Sequence, residues 1–178
     1  MFRRKKTGPP EEAAPETARN PFDGLRRQAL GTSAETAGFS PAPAGRVVYG
    51  AVMDWALDRG LATLFGLEDG TGSLYLSSGG GVIGGGFHEP VRQAVRAFIV
   101  AFEPFVRTMT ADADGETPPS GYTDLRALTL RGRLVVRAPT DDLGNGRHPM
   151  SRVFHAGQAV ISALRQVPGV EEMGSRPN

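Results

Sequence analysis

Residues 47–57 read VVYGAVMDWAL, and the fold of the chain turns on whether this stretch is a strand or a helix. Its apolar residues are nearly continuous, so periodicity alone does not separate a buried strand from a buried helix. The opening Val47-Val48-Tyr49, the interior Gly50 and the shortness of the run favour a strand, because β-branched and aromatic side chains fit a pleated surface. As a central strand it is turned by Asp58-Arg59-Gly60 into a second strand over 61–68. Asp69-Gly70 is a strong hairpin signal, and residues 72–77 (GSLYLS) supply the returning third strand.

Downstream, a glycine-rich run over 78–86 leads to Pro90, which suits the first turn of a helix where a missing N–H costs nothing. Val91, Val95, Phe98, Phe102, Phe105 and Met109 recur at steps of three and four, one apolar stripe along that helix. Pro104 lies inside the pattern and should kink or end it. A polar loop over 110–121 precedes two strands, 125–130 and 133–138, joined at Arg131-Gly132. After a loop over 139–148, a last helix is expected over about 149–167, ended by Pro168-Gly169.

The predicted order is β-β-β-α-β-β-α, an α+β domain with a five-stranded antiparallel sheet and two amphipathic helices packed on it. This order resembles the profilin-like folds, longin domains in particular, and roadblock domains more loosely. The resemblance implies a sandwich of this kind and no particular activity, since such folds host unrelated functions. Two segments, 62–86 (ATLFGLEDGTGSLYLSSGGGVIGGG) and 146–165 (GRHPMSRVFHAGQAVISALR), resemble hallmarks of an uncharacterised bacterial family; that resemblance implies no role for any residue. Residues 1–45 read as a disordered arm and linker with a possible short helix at 21–30, residues 46–168 as the domain, and 169–178 as a loose tail.

The chain has 178 residues, 20 basic and 19 acidic, and no cysteine. Disulfides and thiolate metal sites are therefore excluded, and a reducing, cytoplasmic location is expected. A near-neutral domain lacks the concentrated basic face that phosphate backbones require, so no nucleic-acid partner is expected. The basic tip Arg3-Arg4-Lys5-Lys6 is followed by a polar, proline-rich stretch rather than an apolar one, and no apolar run is long enough to span a bilayer. Stable membrane insertion is not expected.

The glycine run is the most unusual feature. Gly79-x-Gly81-x-x-Gly84 matches a dinucleotide fingerprint literally, and a helix follows, so backbone N–H groups could meet a phosphate there. The context argues otherwise: the preceding strand sits in a hairpin rather than a βαβ unit, and a Walker A reading fails because Phe87-His88 follows Gly86. The competing reading is that the glycines let the strand bend or let backbones approach closely. Gly79, Gly80, Gly81, Gly84, Gly85 and Gly86, with His88 and Arg92, are the candidate ligand-binding residues if the loop does bind.

His88, His148 and His155 do not have metal-ligand spacing, so neither a metal nor a cofactor is expected. Asp54, inside an apolar strand, needs a partner or a raised pKa. Arg126 or Arg133 on neighbouring strands could pair with it; a solvent-facing position and a catalytic role are the other readings. With no catalytic set in view, the expected function is a non-enzymatic interaction module, binding an unknown protein partner or a second copy of itself. The alternative is a small-ligand or phosphate binder using the glycine loop.

Overall fold

A computed structural model describes residues 21–40 and 45–167. The readings made for the arm over 1–20, for linker residues 41–44 and for the tail after 168 lie outside the described residues. The described chain contains α1 (Phe22–Gly31), β1 (Val48–Leu57), β2 (Gly60–Leu67), β3 (Gly72–Leu76) and β4 (Gly81–Val82). These are followed by α2 (Glu89–Val100), β5 (Thr110–Ala111), β6 (Tyr122–Thr129), β7 (Gly132–Pro139), α3 (Thr140–Gly144) and α4 (Ser151–Arg165).

The domain is α+β, with one antiparallel sheet in the order β4-β3-β2-β1-β6-β7-β5. Among the described residues it has seven strands rather than the expected five, and four helices rather than two beside the possible one at 21–30. The additions are short. β4 and β5 are two residues each, lying in the glycine run and the polar loop, where no alternation can register. α3 is a single turn over residues read as loop, and Asp141 and Asp142 occupy its first turn, where acidic side chains suit the helix dipole.

β1 is central, paired with β2 on one side and β6 on the other. Seven successive residues, 48–54, are buried in it. Its apolar run is continuous rather than alternating because both faces of the sheet are covered. Ala51 and Met53 join the core beneath α2 and α4, together with Leu64, Leu125, Phe98, Phe102, Val160 and Leu164. Tyr49 and Val52 join a second core on the opposite face, with Phe22, Ala29 and Leu30 of α1 and with Phe65, Tyr75 and Leu128. A register shift against β6 between Val48 and Gly50 places Tyr49 on that second face.

α2 ends at Val100, before Pro104, which sits in a short 3-10 turn over Glu103–Phe105. Glu103 is put to use there. Its carboxylate accepts the backbone N–H groups of Val47 and Val48, at 3.1 and 3.2 Å, tying the start of β1 to the end of the helix.

Candidate functional site

Two features stand out, the glycine loop and a buried charge cluster on the α1 face of the sheet. The loop is a packed bend. Gly81 has φ +145°, and a Cβ on it would overlap the carbonyl oxygen of Leu74. Gly85 is buried, and a Cβ there would run into Leu164 and Val91. Gly86 lies against Thr71, where a Cβ would come within 3.1 Å of the Cα. Gly79 and Gly84 face open space, both with positive φ, and Gly80 is exposed, with φ +84°.

Three of the amides that might have cradled a phosphate are used internally. The N–H of Gly79 donates to Leu76 O at 3.0 Å, that of Gly84 to Ser73 Oγ at 3.2 Å, and that of His88 to Gly85 O at 3.1 Å. The carbonyl of Gly80 accepts from the Leu76 amide. Arg92 is paired with Glu89 on its own helix. This hydrogen bond, with that from Gln93, holds the exposed Glu89 carboxyl below its usual range. Two side chains stand out from the packed bend: Ile83 is 63% exposed and Phe87 is 95% exposed.

The charge cluster is built by strand register. Asp54 on β1 lies directly opposite Asp124 on β6, an arrangement that repels unless a cation intervenes. Arg126, two residues beyond Asp124 and so on the same face, supplies it. Its Nη1 donates to Asp54 at 2.5 Å, its Nη2 to Asp124 at 2.7 Å and its Nε to Asp112 at 3.1 Å. Nη2 also donates to the carbonyl of Glu116. Arg126 is 1% exposed, and Asp54 and Asp124 are fully buried.

An outer ring completes the cluster. Arg26 from α1 reaches Asp54 at 2.7 Å, Arg137 reaches Asp124 at 2.7 Å and Arg133 reaches Asp112 at 3.1 Å. Thr63, opposite Asp54 on β2, donates its hydroxyl to the same carboxylate at 2.5 Å. The hydrogen bond that Arg137 donates to Asp124 raises the pKa of its guanidinium and so keeps it charged. Burial raises the Tyr49 phenol above its ordinary value, and the nearby Arg133 charge partly offsets this.

The cluster's chemistry is that of a closed ion network. Arg126 fills the space among three carboxylates where a metal would otherwise be needed, and each carboxylate is shared by two arginines. Among the described residues, no group of three or more His, Asp or Glu is arranged to hold a metal ion. A cleft of about 300 Å³ opens beside the cluster, lined in part by Asp112, Asp114, Glu116 and Arg137. A second, of about 420 Å³, lies between the start of α1, the β1–β2 turn and residues 117–120. Neither includes the glycine loop.

The sequence reading paired Asp54 with Arg126 or Arg133. Arg126 is its partner, and Arg133 serves Asp112 instead. Asp124, Arg26 and Arg137 are not singled out by the sequence, and Asp112 reads there only as a loop carboxylate at a plausible distance from the glycine fingerprint. The same-face spacing Asp124-x-Arg126 on a strand was an available signal for part of this; nothing local in the sequence points to Asp112 or Arg26. His88 stands at the start of α2 beside the glycine loop, whereas His148 accepts the Met150 amide ahead of α4, and His155 is exposed. The three do not come together as a ligand set.

No helix among the described residues is long and apolar enough to cross a membrane. Comparison with protein-family models, with curated proteins and with solved structures returns no match. The likenesses to longin-type domains and to a bacterial family therefore gain no support from relatives.

Proposed function

We propose that the chain is a non-enzymatic interaction module that associates, with a second copy or another protein, through the tip formed by Ile83 and Phe87. The observation that carries this reading is the contrast within one short turn. Gly85 is packed into the core while Phe87, two residues on, is 95% exposed. An aromatic side chain left in water forgoes about 1.5–3 kcal/mol that burial would return. The tip adjoins β4, a two-residue edge strand that leaves little of its own backbone to recruit a neighbour. Side-chain burial, rather than strand addition, is therefore the main driving force for contact.

Sedimentation of the full chain across a concentration series tests this. Self-association that weakens at least tenfold in the double variant Ile83→Ser/Phe87→Ser, with the melting temperature unchanged, is the expected result. Equal sedimentation of the two proteins at every concentration would count against the tip as a self-association surface. The ligand reading of the glycine loop is separated by a thermal-shift panel of nucleotides and phosphorylated metabolites, since a ligand that binds only the folded state raises its melting temperature. The packing of Gly81, Gly85 and Gly86 and the engaged amides of Gly79, Gly84 and His88 favour no shift.

A further inference from the structure

We infer that the sheet face beneath α1 is a docking groove for an arginine-bearing amphipathic helix, and that α1 is its displaceable resident. This deepens the interaction reading above but rests on different residues. α1 engages the groove through Phe22, Arg26 and Leu30, spaced four apart along one helical face, with Ala29 beside them. The apolar floor is Tyr49, Val52, Phe65, Tyr75 and Leu128. The polar end of the groove takes the guanidinium: Arg26 donates to both oxygens of Asp54 and to the carbonyl of Gly115 at 2.8 Å.

Three observations make α1 removable. First, its departure leaves no orphaned buried charge, because Asp54 keeps Arg126 at 2.5 Å and the Thr63 hydroxyl. Breaking a buried pair is costly when one partner is left uncompensated, and here the inner pair survives. Second, α1 is a poor helix by itself. It is ten residues long, carries Gly24 inside, and has no side-chain cap at its N-terminus, its one side-chain cap being the Thr32 hydroxyl that donates to Gln28 O at 3.0 Å. Isolated helices of that length are marginal in water. Third, beyond Arg26, the hydrogen bonds that tie it to the sheet gather at its C-terminal end, where Tyr49 Oη donates to Thr32 O and Arg133 donates to Leu30 O.

The emptied groove presents a carboxylate and a carbonyl beside aromatic and aliphatic side chains. The chemistry it selects is a helix with an aromatic residue four before an arginine and a leucine four after it. Tethering gives α1 a high effective concentration, so a partner helix must match this pattern to compete.

The probe is a fluorescein-labelled, end-blocked peptide of residues 21–31 (PFDGLRRQALG), titrated against the full chain and against the full-chain double variant Phe22→Ala/Arg26→Ala. At least tenfold tighter binding to the double variant is expected, with that gain lost when the peptide carries Arg26→Gln. Equal binding to both chains, or none to either, would overturn the inference. If the double variant fails to unfold cooperatively, hydrogen exchange on the wild type decides. Exchange at Leu25 to Leu30 at least a hundredfold faster than in β1 and β6 supports a displaceable helix, and exchange only with global unfolding overturns it. Sedimentation of the same samples reads the Ile83–Phe87 tip separately, so either idea can fail without the other.

Discussion

Replacing Arg126 by methionine is expected to lower the free energy of unfolding by about 3–5 kcal/mol, the range for breaking a buried ion pair from one side. Methionine fills much of the volume but leaves three carboxylates, Asp54, Asp112 and Asp124, facing one another around the space vacated by the cation. Asp54 and Asp124 are fully buried and directly opposed across β1 and β6, so neither can recover water as a partner. The outer ring compensates only in part. Arg26 and Arg137 each hold one of the two, from side chains that are 11% and 38% exposed.

Arg133→Met is the matched control. Arg133 is 26% exposed, and Asp112 retains Arg126 without it, so a loss of about 1 kcal/mol is expected. Urea unfolding of both variants reads the difference. A loss at Arg126 no larger than that at Arg133 would mean the cluster is not a closed, buried network. Combining Arg126→Met with Asp54→Asn should cost less than the two single losses together, because the groups share one interaction.

The second large effect is expected at Gly81. Alanine there must adopt φ +145°, a region open essentially to glycine, while its Cβ displaces the Leu74 carbonyl from the β3–β4 pairing. The expected loss is about 3 kcal/mol, near the upper end of what such backbone strain costs. Gly84→Ala meets no neighbouring atom and carries only the left-handed backbone at φ +73°, worth about 1–2 kcal/mol. Thermal or urea unfolding that finds the two substitutions equally costly would show that the loop is not packed against β3. The comparison also bears on function. A cradle for phosphate would suffer in binding at every glycine, whereas a packed bend suffers in stability most where a Cβ meets its neighbours, at Gly81 and Gly85, and less at Gly84.

The sequence was most readable where the side-chain pattern and the turn chemistry agreed. The Asp69-Gly70 hairpin, the stripe from Val91 to Phe102 and the last helix all lie where their residues place them. Pro104 ended its helix for the reason that makes proline a poor interior residue: it removes a donor and crowds the preceding turn. Asp54 announced itself by being a carboxylate in an apolar strand, and Arg126 was within reach of the reasoning because neighbouring strands place same-face residues side by side.

What stayed hidden was long-range. Asp112 and Arg26 enter the cluster from a loop and from the N-terminal helix, 14 and 28 residues along the chain from the partners they meet. β4 and β5 exist only because a neighbouring strand is there to receive them, and a two-residue strand has no period to detect. The amino-acid order by itself determined the class of the domain, the central strand over 47–57 and the helices beyond it, since local propensity, apolar spacing and turn residues act within a few positions. Only the tertiary structure decided that both sheet faces are covered, that four arginines and three aspartates close into one network, and that Gly81, Gly85 and Gly86 pack against their neighbours. Each of these depends on which distant segments come into contact, and apolar burial and charge pairing select those contacts without leaving a local trace.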